Sequence, residues 1–316
     1  NGGNISFKVD RSSIRQGNAV IAIKDVSDAI LWSWHVWVTD EDINNVIEIT
    51  NHQNVKYNFM PVNLGQCDGH TITYEERSCK VKFIAGDQSK EITIKQLANV
   101  IATGSNAPFY QWGRKDPLYP SNGMGNTTKI WYDKEGIPST ANPMKGTFSA
   151  GNDCIKNCIL NPNLMHNRYN GDYTYYNLWS ADNKTTSAND NPVNKTIYDP
   201  CSVGFKLPAS NAFTGFTTTG ESVSSSTQVN GTWSSSEKGW YFYTNSEKTQ
   251  SIFFPALGYR SYSTMRPGSI GTQGCFWSAH PVAKGNNYYL RTSSVDVQPT
   301  YMVDRGFGYA LRPCQD

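Results

Sequence analysis

The chain has 316 residues, which is long enough for one large domain or two of ordinary size. Charged residues make up only 17% of it, the formal net charge is +2, and the basic residues are scattered. We therefore expect no nucleic-acid partner. Tyr (18), Phe (13) and Trp (9) are plentiful beside many Asn, Ser, Thr and Gly residues, a composition that favours a β-rich fold with polar loops.

Three segments near the N-terminus alternate as paired strands do: Ile5–Val9, Ala19–Ile23 and Ile30–Val38. Asp25–Asp28 is the polar turn between the last two. Three strands of this length seldom form a stable sandwich alone. We interpret residues 1–45 as the C-terminal strands of an Ig-like β-domain or, alternatively, as a β-layer packed on the rest of the chain. The polar first residues and the missing initiator Met favour a mature or trimmed product.

The second predicted domain covers residues 46–316. Within it, Ile72–Tyr74 and Val81–Ile84 resemble the two arms of a hairpin. Ser89–Ile101 has apolar residues at helical spacing behind a serine that could cap the first turn, so this segment predicts a helix. Residues 122–193 are rich in Asn, Thr, Gly and Asp and show no clear period, which indicates a long loop insertion with few short elements.

The last third of the chain repeats one pattern, a short aromatic segment flanked by Gly, Ser or Pro. Such segments predict short strands joined by tight turns. None of them carries the paired acid, base or nucleophile that catalysis needs. Ser210–Phe216, just ahead of them, predicts one short helix. The aromatic segments are Gly231–Ser235, Phe253–Ser261, Gly274–Ala279 and Arg305–Pro313.

The seven cysteines stand at positions 67, 79, 154, 158, 201, 275 and 314. None forms a CxxC pair and no His completes a zinc pattern, so we expect no structural zinc. Disulfides could join Cys67 to Cys79, Cys154 to Cys158 and Cys201 to Cys314, which would leave one thiol over. Buried thiols are the alternative for each pair. Bridges would indicate an oxidising, exported setting.

The sequence lacks the patterns that mark common enzymes. Its five histidines are dispersed, and no HxH, HExxH, GxSxG, P-loop or dinucleotide fingerprint occurs. We therefore expect no catalytic residues, no catalytic metal and no cofactor. A structural calcium ion is left as an alternative, because Asp182–Asn183 and Asn189–Asn191 offer oxygen ligands. Polar loop residues more often satisfy their own turns.

Two polar segments, Tyr259–Arg266 and Lys284–Arg291, have the composition of a contact surface. Tyrosine supplies rigid contact area at low entropic cost, while Asn and Ser adapt their hydrogen bonds to a ligand. We predict that both segments are loops on a ligand-binding face, with ordinary hydrated loops as the alternative. The predicted ligand-binding residues are Trp240, Tyr259, Arg260, Tyr262, Arg266, Asn286, Asn287, Tyr288, Tyr289 and Arg291.

Several motifs follow the order of a known family. Phe109–Pro117 reads FYQWGRKDP and resembles the YYQWGRKDP motif of the Fibrobacter succinogenes major paralogous domain. Gly17–Ala22 and Ile30–Thr39 are similar to the strands that precede this domain in Bacteroidales fimbrillin-like surface proteins. The resemblance covers roughly residues 55–316. Its other matching segments are Asp199–Pro208, Trp233–Ser235, Phe254–Arg260, Trp277–Ser278 and Gly308–Arg312.

The resemblance implies a C-type-lectin-like fold, as in formylglycine-generating enzymes, on an exported lipoprotein or pilus-associated protein whose long loops present the binding face. It also implies core positions for Trp112, Trp179, Trp233 and Trp277. The enzymatic relatives use two cysteines at a copper site. Only Cys275 and Cys314 lie in the C-terminal part of this chain, and this departure argues against an oxidase.

These observations predict an α+β, β-rich protein in which Ig-like strands precede a C-type-lectin-like domain. We expect a non-catalytic adhesin or ligand-binding protein at the cell surface, in the outer membrane or at a fimbrial tip, with a host or microbial glycan or a protein as ligand. A carbohydrate-binding module is one alternative and would show coplanar exposed rings. A pilus assembly subunit is another, with an unpaired strand edge near residues 5–9 or 19–23. An enzyme would need two cysteines or a metal cluster in one cleft.

Overall fold

The computed structural model describes residues 6–103, 106–118, 131–132, 137–139, 151–166, 177–182, 185–282 and 285–316. Over these residues the chain is β-rich, as its composition predicts. It divides into a main unit, Asn1–Gln66 with Ala107–Asp316, and a hairpin unit, Cys67–Asn106. The main unit contains residues from both predicted domains, 1–45 and 46–316. No helix in the described residues is long and apolar enough to cross a membrane.

The strands are short because Gly, Pro and Asn turns interrupt the apolar segments. The first eleven are β1 (Gly17–Lys24), β2 (Ile30–Val38), β3 (Ile47–Thr50), β4 (Lys56–Phe59), β5 (His70–Tyr74), β6 (Arg77–Ala85), β7 (Gln88–Gln96), β8 (Asn99–Thr103), β9 (Tyr110–Gln111), β10 (Trp131–Tyr132) and β11 (Pro138–Ser139). The others are β12 (Phe205–Lys206), β13 (Gly231–Ser234), β14 (Gly239–Tyr243), β15 (Ser251–Pro255), β16 (Tyr259–Arg260), β17 (Pro267–Gly268), β18 (Gly274–Pro281), β19 (Asn286–Thr292), β20 (Val297–Asp304), β21 (Gly308–Tyr309) and β22 (Cys314–Gln315).

Helices are few among the described residues. The α-helix α1 spans Gly151–Leu160 within the segment 122–193, which the sequence predicts as a long loop insertion with few short elements. In the described part of this segment, α1 and the short strands β10 and β11 are such elements. The predicted short helix at Ser210–Phe216 is confirmed as a 3₁₀ helix. Two further 3₁₀ turns span Arg11–Ser13 and Ser226–Gln228.

The N-terminal hairpin forms as the sequence predicts. β1 pairs antiparallel with β2, from Gly17 opposite Val38 to Lys24 opposite Ile30. The predicted strand at residues 5–9 is wrong over its described part, residues 6–9, which form no ladder. In the described part of the chain β1 pairs with β2 alone, so its other edge carries no strand.

The end of the chain ties the main unit together. β22 lies between β12 and β4 in the sheet of order β12-β22-β4-β3, and β21 lies between β16 and β9 in the sheet β17-β16-β21-β9. Two three-stranded sheets, β13-β14-β15 and β18-β19-β20, complete this unit's larger sheets. β21 and β22 pair with strands far back in the sequence. The two four-stranded sheets that contain them therefore depend on long-range contacts within the main unit.

Two hydrophobic clusters fill the main unit. In the first, the rings of Phe216 and Phe242 stack at 3.9 Å, and Phe254 meets Phe216 edge-on at 5.0 Å. In the second, Trp112 and Trp179 lie 5.3 Å apart. The core positions predicted for tryptophan are confirmed, since Trp112, Trp179 and Trp277 are fully buried and Trp233 packs partly buried against the first cluster.

The hairpin unit corrects two predictions. Ser89–Ile101 is not a helix but most of β7 and β8, because its β-branched residues face partners on another strand: Ile92 lies opposite Val81, and Ile94 opposite Cys79. The predicted hairpin arms do not pair with each other either, since β5 pairs with β8 and β6 with β7. Gly86 closes the β6–β7 turn with φ +60°, a conformation that favours glycine.

The predicted disulfides are absent, since none of the seven cysteines, all within the described residues, is bridged. Cys67 forms a β-bridge with Asn106, and Cys79 lies opposite Ile94. The two cysteines are therefore held at different places in the hairpin unit. Cys201 and Cys314 are buried as thiols, and burial raises the pKa of both.

Candidate ligand-binding surface

Six rings of the main unit form a continuous chain of contacts, which we call the aromatic row. It runs in the order Tyr262, Phe307, Tyr259, Tyr309, Tyr289 and Tyr301. Successive ring centroids lie 4.9, 5.5, 6.5, 4.6 and 5.7 Å apart, within the range of favourable aromatic pairs. Successive ring planes are tilted by 78°, 84°, 73°, 39° and 70°, so the row is not the coplanar platform that a carbohydrate-binding module predicts.

Strand pairing places these rings side by side. β21 pairs with β16 at Gly308 opposite Arg260, which brings Tyr309 next to Tyr259. In the sheet β18-β19-β20, Tyr289 lies directly opposite Trp277 on one side and Tyr301 on the other. Aromatic side chains favour such cross-strand pairs, and the register of two sheets thus fixes one row.

The middle of the row is buried and its ends are open. Tyr289 and Tyr309 are almost fully buried, their side chains are hydrogen-bonded to each other, and burial raises the pKa of both phenols. Trp277 packs 4.4 Å from Tyr309 and supports this pair from the core. Tyr259, Tyr262 and Phe307 are half-buried, and Tyr301 is 46% exposed. The buried pair therefore holds the open rings in fixed orientations.

The two ends of the row have different surroundings. At one end, the guanidinium of Arg291 lies 5.7 Å from the ring of Tyr301 and forms an ion pair of 2.8 Å with Asp296. At the other end, Gly306 provides the space for Tyr262, because a Cβ at Gly306 would lie 3.0 Å from the Cβ of Tyr262. The surface thus combines apolar ring faces with one fixed cation and its counter-charge.

The structure brings only part of the predicted site together. Tyr259, Tyr262 and Tyr289 belong to the aromatic row, and Arg291 contacts its end. Arg266 is exposed in the turn that follows β16, and Asn286 is half-buried opposite Asp304. Five predicted residues are buried: Trp240, Arg260, Asn287, Tyr288 and, in the middle of the row, Tyr289.

The buried positions have a common cause, since strands stand where the sequence predicted loops. Residues 286–291 form most of β19, the central strand of its sheet, so both edges of that strand are paired. Lys284 lies outside the described residues. The loop prediction is therefore wrong for 286–291 and confirmed for 261–266, where the N–H of Ser261 donates to the carbonyl of Arg266 at 2.9 Å.

Arg260 and Trp240 have internal partners. Nη1 of Arg260 donates to the Met265 carbonyl at 2.9 Å, and burial lowers the pKa of this guanidinium to about 10. Nε1 of Trp240 donates to the Ser293 carbonyl at 2.7 Å, and its ring packs against Phe242 in the first cluster. Both side chains stabilise loops rather than face solvent.

Sequence reasoning missed half of the row. Phe307 and Tyr309 stand in the last aromatic segment, which the sequence predicts as a short strand and not as part of the binding face, and Tyr301 stands in a strand that the sequence did not single out. The sequence signal that could have pointed to these residues is the alternation of side chains between the two faces of a strand. Tyr289 and Tyr301 lie in strands that face each other, but only the register shows that they are opposite.

The calcium prediction gains no support from the residues that the structure describes, where no three His, Cys, Asp or Glu side chains gather into a metal-binding group. The carboxylate of Asp190 accepts hydrogen bonds from Asn51 at 2.6 Å, Tyr57 at 2.7 Å and Asn211 at 2.9 Å. This carboxylate ties three elements together. Asn183, another predicted ligand, lies outside the described residues.

A second surface feature lies beside β1. A cavity of about 440 Å³ lies beside this strand and is lined mainly by apolar side chains. One wall is formed by β1, with Ala19, Val20 and Ala22 among its residues, and the facing wall contains Pro108 and Leu118.

Comparison with known proteins yields no relative: no protein family, curated protein or solved structure matches this chain.

Proposed function

We propose that this chain is a non-catalytic ligand-binding protein that acts as an adhesin at the cell surface, with the open rings of the aromatic row as its contact surface. The observation that carries the proposal is the position of Tyr259, Tyr262 and Phe307, which are half-buried beside a buried tyrosine pair. Rings that are already fixed lose little conformational entropy when a ligand binds, so this arrangement is suited to contact.

The ligand class that fits best is a saccharide exposed on another cell. Tilted rings offer apolar faces together with phenol hydroxyls, and Arg291 with Asp296 adds a donor and an acceptor at one end. Such a mixture matches a polyhydroxylated molecule with apolar faces better than it matches a purely apolar one. A protein ligand is the other outcome of the test.

A glycan array tests the proposal. We expect the purified chain to bind a subset of glycans, and the variants Tyr262→Ala and Tyr301→Ala to lose most of that signal, because each removes a ring from one open end of the row. The array is run with and without calcium, which also tests the predicted calcium ion.

The matched control is Tyr243→Ala. Tyr243 is a half-buried tyrosine in the sheet β13-β14-β15, outside the aromatic row, and its loss should leave the array signal unchanged. Absence of binding under either condition would refute the saccharide ligand. Equal loss in the control variant would refute the aromatic row as the contact surface.

At the level of fold, the proposal includes a C-type-lectin-like domain of the Fibrobacter major paralogous type behind Ig-like strands, on an exported protein. The support is that the motifs of that resemblance meet: β9, inside the FYQWGRKDP segment, pairs with β21 from the last motif. The Tyr110 carbonyl also accepts a hydrogen bond of 2.8 Å from Nε1 of Trp277, inside a third motif.

We also propose a second candidate function, an assembly role in which a strand from another copy of the chain occupies the groove beside β1. The unpaired edge of β1 favours it, since an extended chain would supply the missing backbone hydrogen bonds and place small apolar side chains in the groove. This edge includes residues 19–23, where the sequence predicts one for an assembly subunit.

Sedimentation velocity over a range of protein concentrations tests this role. We expect concentration-dependent association that Val20→Lys abolishes, because a lysine would put a charge into the groove. Val295→Lys, at a position 58% exposed and outside the groove, is the control and should associate as the wild type does. A chain that stays monomeric at every concentration would exclude the role.

A further inference from the structure

The helix α1 carries two cysteines on one face. Cys154 and Cys158 are one helical turn apart, so their side chains are neighbours, and both are buried. The thiol of Cys158 is hydrogen-bonded to Cys154 and to His166. Two adjacent thiols that share a proton and contact an imidazole are an arrangement in which one sulfur is held as the thiolate.

An arginine completes this cluster. The guanidinium of Arg114 acts on Cys158 as a favourable charge, while its Nη2 donates to the Pro162 carbonyl at 2.9 Å and its Nη1 to Gln111 at 3.0 Å. The same Gln111 amide holds His166, accepting from its backbone N–H at 3.1 Å and donating to its carbonyl at 2.7 Å. One buried side chain of β9 thus positions both groups that face the sulfur.

The sulfur of Cys158 has access to a small space. A cavity of about 20 Å³ is lined by Cys158 with Arg114, Lys115, Asp116 and Tyr198 among its neighbours. That volume holds one molecule of about the size of water. Lys115 is a further cation that acts on the sulfur, and Asp116 pairs with it at 2.6 Å and so limits its effect.

These contacts set Cys158 apart from the other buried thiols. Hydrogen bonding from Cys154, followed by the charge of Arg114 and the hydrogen bond from His166, holds the pKa of Cys158 well below its usual range in spite of burial. Burial instead raises the pKa of Cys275 to about 12, and Arg291 opposes that shift only in part. These contacts favour the thiolate form at Cys158, whereas burial disfavours it at Cys275.

We propose that Cys158 and Cys154 form a peroxide-sensitive oxidation site, an activity that goes beyond ligand binding. The Cys158 thiolate attacks one oxygen of hydrogen peroxide, the O–O bond breaks, and the leaving oxygen departs as water after taking up a proton. Cys158 is thereby oxidised to a sulfenic acid. The Cys154 sulfur then attacks the Cys158 sulfur, water leaves, and a disulfide forms while the peroxide has been reduced.

Closing the disulfide requires α1 to open locally. Side chains one turn apart on a helix have Cβ atoms about 5–6 Å apart, whereas a disulfide needs about 3.5–4.5 Å. Oxidation should therefore lower the helical signal of the chain. This coupling gives the reaction a structural readout that does not depend on the ligand-binding function.

The test uses hydrogen peroxide on a Cys67→Ser/Cys79→Ser background, since those two thiols are the ones that the structure leaves partly or fully exposed. Mass spectrometry of the folded protein should show loss of two hydrogens, mapped to the peptide that holds Cys154 and Cys158. Adding Cys154→Ser should stop the reaction at a sulfenic acid that dimedone traps on Cys158. Adding Cys158→Ser should abolish oxidation.

Cys275→Ser on the same background is the control and should oxidise as the background does. Iodoacetamide gives a second readout, because Cys158 should alkylate in the folded protein at pH values well below those that the thiol of Cys275 requires. Persistence of oxidation without Cys158 would overturn the proposal. So would alkylation of Cys158 only under conditions that unfold the chain.

Discussion

Replacing Arg312 by methionine is expected to lower the free energy of unfolding by about 3–5 kcal/mol. The Arg312 side chain is fully buried, and its guanidinium donates to Asn63 Oδ1 at 2.8 Å and to the carbonyls of Met60 at 3.2 Å, Pro61 at 2.7 Å and Phe253 at 2.7 Å. Methionine fills similar volume but leaves these acceptors without a donor. Urea denaturation, followed by tryptophan fluorescence, measures the loss.

Burial already lowers the pKa of Arg312 to about 9, so the folded state carries a desolvation cost that the four hydrogen bonds offset. Removal of the charge relieves that cost, which is why we expect no more than about 5 kcal/mol in spite of four lost donors. Arg266→Met, at an exposed arginine, is the control and should change stability by less than about 0.5 kcal/mol. A loss below about 1 kcal/mol in Arg312→Met would contradict the assigned role.

Asp116→Ala is expected to cost about 3–5 kcal/mol, because it leaves the Lys115 ammonium buried without its counter-charge. Lys115 Nζ lies 2.6 Å from Asp116 Oδ2 and donates to the Ser33 carbonyl at 2.9 Å, while Asp116 Oδ1 accepts from the Ser33 hydroxyl at 2.9 Å. This triad ties β2 to the segment after β9. Its loss should loosen the N-terminal hairpin as well as lower global stability.

Two measurements separate the buried charge from other effects of Asp116→Ala. Lys115→Met combined with Asp116→Leu should be more stable than Asp116→Ala alone, since apolar pairs can replace a buried ion pair at little cost. The single variant should also gain stability as the pH rises toward 10.5. Burial holds the folded pKa of Lys115 below that value, so the unfolded chain binds more protons over this range and raising the pH favours the folded state. Equal stability of the single and double variants would contradict the assignment.

The sequence predicted the elements whose pattern is local. The β1–β2 hairpin and the short strands of the last third formed where alternation and turn residues placed them, and three of the four motif tryptophans are fully buried. The helix predicted at 89–101 failed because Ile94 and Ile101 have helical spacing, while Ile92 and Ile94 also alternate as in a strand. Only the presence of a pairing strand decides between the two, and single-sequence periodicity cannot show it.

The candidate site was predicted only in part, because a local sequence pattern does not show which strands pair. Tyr259 and Tyr262 flank a turn, which composition can recognise, and both contribute to the aromatic row. Tyr288 and Asn287 have the composition of a contact loop but stand in the central strand of a sheet. Phe307 joins the row because the pairing of β21 with β16 brings the chain end beside β16, a long-range contact that no local pattern encodes.

The most direct test of the contact surface is a titration by calorimetry. The strongest glycan from the array is titrated into the wild type, Tyr262→Ala, Tyr301→Ala and the control Tyr243→Ala. We expect Kd to rise at least about tenfold in each of the two variants of the row, since removal of a central contact ring commonly costs more than about 1.4 kcal/mol. The control should keep the wild-type Kd within about twofold, a difference of about 0.4 kcal/mol. Unchanged affinity in both variants of the row would show that the ligand binds elsewhere on the chain.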